Sequence, residues 1–109
     1  MTNLLTKHCK PCEGGVPPLT DVQIKKLLLK VCGWHVRPEK KIFKEFKFKN
    51  FKIAMEFVNK VADIAEEENH HPDIILYNWN KVRIELYTHA ISGLSENDFI
   101  VAAKIDEAI

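Results

Sequence analysis

The sequence predicts an α+β domain: a four-stranded antiparallel sheet with three helices packed on one face, in the order helix–strand–strand–helix–strand–strand–helix. Three observations carry this. Residues 22–31 and 51–65 place apolar side chains at helical spacing. Two pairs of strand-like runs, within 34–48 and 74–89, are each broken by a short cluster of turn residues. Ser95-Glu96-Asn97-Asp98 then offers a capping-box start for a last helix.

The elements follow in order. Thr20-Asp21 opens the first helix, whose stripe is Val22, Ile24, Leu27, Leu28 and Val31, and Gly33 ends it. Trp34 and Val36, followed by Ile42, Phe43, Phe46 and Phe48, form a hairpin turning near Pro38-Glu39-Lys40. Its second arm does not alternate cleanly, so the pattern leaves its register open. Asn50 is the N-cap of a long helix that buries Phe51, Ala54, Met55, Val58, Val61, Ala62 and Ala65 and runs to about Asn69. Phe57 and Ile64 lie off that stripe, so the helix is apolar on more than one side. Pro72 disfavours the α conformation at His71 and stops it. Ile74 to Tyr77 is a strand, Asn78-Trp79-Asn80 a turn, and Lys81 to His89 a strand with Val82, Ile84, Leu86 and Thr88 on one face. Gly93 precedes the final helix.

With 109 residues the chain is one domain, and at this size only about 65% of the unfolded surface is buried, so association would be useful. Residues 1–19, with Pro11, Gly14, Gly15, Pro17 and Pro18, show no periodicity and are predicted to be an extended or mobile arm; residues 20–109 form the domain. A net charge of +1 gives no field that would steer nucleic acid or an acidic partner. The lysines between Lys40 and Lys52 alternate with apolar residues and read as a solvated face. No apolar run reaches membrane-spanning length and residues 1–20 lack the apolar core of a signal peptide, so a cytoplasmic chain is expected. Cys9, Cys12 and Cys32 are an odd set, which argues for reduced thiols.

The chemistry points to the histidines. His70 and His71 fall where a helix becomes a strand, and His89 lies at the end of the last strand, on the face opposite Val82 and Ile84. If that hairpin folds back on the helix end, the three imidazoles surround one cleft. Imidazole exchanges protons near neutrality, and no nucleophile motif lies nearby, so the trio suits acid–base work on a neutral small molecule, such as a dehydration. Two other readings stay open: chance clustering, and a Zn²⁺ site. Metal-binding pairs usually come as H-x-H on a strand or H-x-x-x-H on a helix, a spacing that His70 and His71 lack. His8 and His35 read as surface residues.

At these residues the sequence resembles the pterin-4a-carbinolamine dehydratase family, also known as the dimerisation cofactors of a homeodomain transcription factor. The resemblance rests on Glu66-Glu67-Glu68-Asn69-His70-His71-Pro72, on Tyr77 to Tyr87, on Thr88-His89, and on Gly93-Leu94-Ser95-Glu96-Asn97-Asp98. Upstream it extends through Gly33-Trp34, Ile42-Phe43-Lys44 and Phe48-Lys49-Asn50-Phe51, covering about residues 20–109. It implies loss of water from a 4a-hydroxytetrahydropterin to give the quinonoid dihydropterin, in tetrahydrobiopterin recycling, with neither cofactor nor metal. It places the catalytic histidines at His70, His71 and His89, and further pterin contacts at Pro72, Thr88, Ala90 and Ile91. Glu66 and Asp98 fill the family's acidic positions, although Asp98 could equally serve as the N3 residue of the last helix. The resemblance also implies a homo-oligomer, a dimer of dimers.

Two departures matter. The loop between His71 and His89 is one residue longer than in the animal proteins, and Cys9-Lys10-Pro11-Cys12 resembles an extension found in the bacterial, plant and protist branch. Both weaken the expectation of a transcription-factor partner, a role of some animal members. A C-x-x-C pair can bind Zn²⁺ or act in redox chemistry, but no second pair exists in the chain, and the arm reads as ordinary and reduced.

Overall fold

The central constraint on the sheet is the pairing of two six-residue strands, β2 (Ile42–Lys47) and β4 (Lys81–Leu86), antiparallel with Phe43 opposite Glu85 and Phe46 opposite Val82. In the computed structural model, which describes residues 4–10, 17–38 and 40–109, β1 (His35–Val36) flanks β2 and β3 (Asp73–Tyr77) flanks β4. The order is β1-β2-β4-β3, antiparallel throughout. Around it lie α1 (Asp21–Leu28), α2 (Phe51–Glu68) and α3 (Glu96–Glu107), so the predicted α+β architecture and element order are what the described residues adopt.

The β2–β4 register shows why β2 does not alternate cleanly. Ile42, Lys44 and Phe46 share the helix-facing side with Val82, Ile84 and Leu86, so a lysine occupies a core-facing position. Its stem crosses apolar surface while its ammonium reaches α3, 2.8 Å from Asp106 Oδ1, and donates to the Cys32 carbonyl at 2.7 Å. Asp106 also accepts the Trp34 indole N–H at 3.0 Å. This lysine therefore departs from the solvated basic face expected of the 40–52 run. The opposite side of the sheet is polar: Glu45 accepts from Arg83 and from the Tyr77 hydroxyl, at 2.9 and 2.7 Å.

Helix boundaries follow the caps. Thr20 and Gln23 form a reciprocal capping box on α1, which ends at Leu28, short of Gly33. Val22 is exposed while Ile24 is buried, because eight residues present only a narrow face to the core. Asn50 caps α2 by accepting from Ile53 N–H, and Asn69, left-handed at φ 51°, terminates it. The buried stripe of α2 is Ala54, Phe57, Val61, Ala65 and Glu68. The sequence reading merged two stripes here: Phe57 is core, whereas Phe51, Met55 and Ala62 face outward. The regular spacing 54-57-61-65-68 is the i, i+3, i+7 pattern of a single face.

Two further corrections bear on the site. Strand β4 stops at Leu86 and does not run to His89; Thr88 instead bridges to Gly93, enclosing a 3-10 turn at His89–Ile91. A Cβ on Gly93 would lie 2.6 Å from Pro18 Cβ, so only glycine lets these segments meet. The arm is expected to be extended or mobile, yet residues 4–10 of it are docked: Leu4 is 4% exposed and packs in the main core, and its 3-10 turn lies on α3. An apolar side chain with a core site to fill explains the docking. Among the described residues, no helix is long and apolar enough to cross a membrane.

Asp106 joins three segments through one carboxylate. Asp106→Ala should lower the unfolding free energy by about 1–3 kcal/mol, since it leaves the Trp34 indole and the Lys44 ammonium short of an acceptor. Urea unfolding measures this; an unchanged midpoint would show the contact to be dispensable.

Candidate active site

The end of α2, the end of β4 and the start of α3 converge on one carboxylate. Asp98 is fully buried at the N3 position of α3, where its Oδ2 accepts the Ser95 backbone N–H at 3.0 Å and so completes the capping box. The same oxygen accepts the Thr88 hydroxyl at 2.7 Å, and Oδ1 lies 2.6 Å from His70 Nε2. A carboxylate can only accept here, so Nε2 carries the proton and Nδ1 is the ring's remaining basic atom. Asp98 is thus both the N3 cap of α3 and the hydrogen-bond partner of His70. His70 is also held through its backbone, whose N–H reaches Ala65 O at 3.1 Å beyond the left-handed Asn69. Its side chain is 13% exposed.

His71, by contrast, is 55% exposed and pairs with the exposed Glu66 carboxylate at 2.5 Å. Water screens such a pair, which orients the ring more than it stabilises the fold. His89 opens the 3-10 turn and stands edge-on to Tyr87, with ring centroids 4.9 Å apart at 78°.

All three imidazoles line one cleft of about 630 Å³, together with Tyr87, Thr88 and Ala90. Asp98 lies behind His70, and Glu66 beside His71. Pro72 and Ile91, expected to touch the ligand, are not among the lining residues. Pro72 follows the helix terminus, and Ile91 closes the 3-10 turn that carries His89 and Ala90.

The cleft is also lined by residues outside the predicted site, among them Cys9, Lys10, Glu68 and Asn97. Glu68 carried a signal, because of the three glutamates at 66–68 it alone continues the buried stripe of α2. A carboxylate there needs partners. It has the Lys104 ammonium at 2.6 Å, the Cys9 backbone N–H at 2.8 Å and His8 Nδ1 at 3.0 Å. Burial pushes its carboxyl upward, but Lys104, Cys9 N–H and His8 together outweigh that and hold it down at about 2. Cys9 moves the other way: burial foremost, then the Glu68 charge, pushes its thiol up to about 12. It is protonated at neutral pH and is not a ready nucleophile or metal ligand. Its C-x-x-C partner Cys12 lies outside the described residues. His8, read as a surface residue, is exposed but pairs with Glu68; His35 is exposed and packs on Phe43.

Because Glu68 sits below its ordinary value of 4.5 in the folded chain, its contribution is complete above that value and is lost as pH falls toward 2. The shift corresponds to about 3 kcal/mol. Urea unfolding from pH 7 to pH 2 should show this loss. In Glu68→Gln the acid-dependent part should shrink, with lower stability at pH 7; an unaltered pH profile would show that another carboxylate dominates.

The chain has known relatives. A family model for pterin 4 alpha carbinolamine dehydratases matches residues 17–108. A Nitrosospira multiformis protein assigned by name to the pterin-4-alpha-carbinolamine dehydratases is 55% identical over 104 residues, 95% of this chain and 90% of that one. A Rubrobacter xylanophilus protein of the same name is 46% identical over 106 residues, 97% of this chain and 98% of that one. Among solved structures, a transcriptional coactivator/pterin dehydratase from Brucella melitensis superposes with a TM-score of 0.78 at 32% identity, over 83% of this chain and 96% of that one. With the family model spanning most of the chain and relatives matching nearly end to end, the chain belongs to the pterin-4-alpha-carbinolamine dehydratase family.

Proposed function

We propose that the chain dehydrates a 4a-hydroxytetrahydropterin by histidine general acid–base catalysis, in the recycling of tetrahydrobiopterin. The observation that carries this is the His70–Asp98 pair, set in a cleft whose other imidazoles are His71 and His89. The reaction breaks the C4a–O bond and the N5–H bond. The hydroxyl departs with an added proton as water, the N5 proton goes to a base, and the N5 electron pair forms the C=N bond of the quinonoid dihydropterin.

His70 is the base in this reading. With Nε2–H donated to Asp98, its Nδ1 is the nitrogen that can accept a proton, and the carboxylate behind the ring compensates the charge the ring acquires. Among the described residues no carboxylate pairs with His89, which takes the role of acid, protonating the leaving hydroxyl. His71 orients the pterin from the cleft's exposed side, steadied by Glu66. Thr88 and Ala90 supply contacts beside His89, and Pro72 and Ile91 act by shaping the backbone that presents them.

The reading extends to assembly. Phe51 and Met55 leave an apolar strip on the outer side of α2, 53% and 37% exposed, with Ile53 close by. Four-residue spacing puts Phe51 and Met55 on one stripe, suited to a bundle of α2 helices from four copies, a dimer of dimers. A transcription-factor partner is not part of the proposal, because the longer loop between His71 and His89 and the Cys9–Cys12 arm set the chain apart from the animal members.

Stopped-flow measurement of 4a-hydroxytetrahydropterin breakdown tests the chemistry. His70→Ala and His89→Ala should each lower kcat by roughly 10²–10⁴-fold with KM little changed, and the double variant should cost far less than the product of the singles. His71→Ala should chiefly raise KM. Additive effects at 70 and 89, or loss of kcat in His71→Ala at unchanged KM, would overturn these roles. Light scattering at micromolar concentration should give the mass of four chains, and Phe51→Glu with Met55→Glu should reduce it; a monomer in the wild type would count against the assembly.

A further inference from the structure

The family match begins at residue 17, yet Cys9 and Lys10 of the arm stand at the cleft. Two side chains from the elements that hold the His70–Asp98 pair hold the arm as well. Asn97, next to Asp98 on α3, clamps one residue through both its backbone groups: its Oδ1 accepts the Lys10 N–H at 3.0 Å, and its Nδ2 donates to the Lys10 carbonyl at 2.6 Å. Glu68, two residues before His70, accepts the Cys9 N–H at 2.8 Å. Both clamping side chains are buried.

We propose that Cys9 and Lys10 form a wall of the substrate cleft, that Asn97 and Glu68 are positioning residues which set this wall, and that the wall holds the flat, uncharged ring system of the reduced pterin. The inference rests on the pterin reading of the cleft and adds to it a binding element from outside the family's matched region. The chemistry of the wall favours a neutral heterocycle. The Cys9 N–H, the Lys10 N–H and the Lys10 carbonyl are already engaged by Glu68 and Asn97, so these groups offer close contact in place of new hydrogen bonds. The Cys9 thiol, protonated at neutral pH, contributes a polarisable, uncharged surface. Glu68 is neutralised by Lys104, and the exposed Glu67 and Lys10 bring one charge of each sign, so the cleft attracts neither an anion nor a cation outright.

A preset wall saves the entropy of ordering a loop on binding, so its loss should appear in affinity more than in turnover. Hydrogen exchange on the full chain, with 7,8-dihydrobiopterin as a stable reduced pterin, reads the contact directly. The amides of Cys9 and Lys10 should exchange at least tenfold more slowly at saturation. Asn97→Ala should abolish that slowing and raise both KM and the dihydrobiopterin Kd roughly tenfold, with kcat changed less than about threefold. Asn97→Asp keeps the acceptor for Lys10 N–H, loses the donor to its carbonyl, and suits a helix N-terminus, so it should fold and fall between the two. The wall is overturned if Cys9 and Lys10 exchange is indifferent to bound dihydrobiopterin, or if either variant speeds arm exchange while KM and Kd hold. A wild type that neither binds dihydrobiopterin nor turns over the hydroxypterin would strike the pterin reading itself; one that does both and shows no arm effect strikes only the wall.

Discussion

Asp98 is the carboxylate on which the architecture turns. It is fully buried, and burial of an anion is costly unless each lone pair finds a donor. Those donors come from three places: the Ser95 backbone at the start of α3, the Thr88 hydroxyl past the end of β4, and the His70 ring past the end of α2. No one of these elements can shift without stranding the charge. The helix cap is therefore also the brace that fixes the imidazole, and folding and site assembly are one event.

The rest of the cleft is graded around that brace. His70 is locked, His71 is tethered at the surface by an exposed partner, and His89 is held mainly by its turn and by the Tyr87 ring edge. Increasing freedom in that order suits a site in which one ring must be in register with the reacting atom while others adapt to a ligand that enters and leaves.

Much of this was legible in the sequence, and the reasons are local. Asn50, Ser95 and Thr20 announce helix starts because a cap is a matter of three or four neighbouring residues. The double histidine before Pro72 locates the helix end and the candidate site together. What escaped depends on distant partners. Lys44 hides the alternation of β2 because its counter-charge, Asp106, lies 62 positions away. Glu68 looks like one acid among three, since its partners Lys104 and residues 8–9 are remote. Glycines and prolines at 14–18 suggested an arm that wanders. Only tertiary packing reveals Leu4 as an anchor.

The meeting of Gly93 with Pro18 has its own consequence. The Thr88–Gly93 bridge is what presents Thr88 to Asp98, and at Gly93 there is no room for even a methyl group. A spontaneous glycine-to-alanine change at this position, which an exposed loop would absorb, would here push the Gly93 backbone away from Pro18 and so strain the bridge that presents the Thr88 hydroxyl. A residue with no side chain thus governs the alignment of one that lines the cleft.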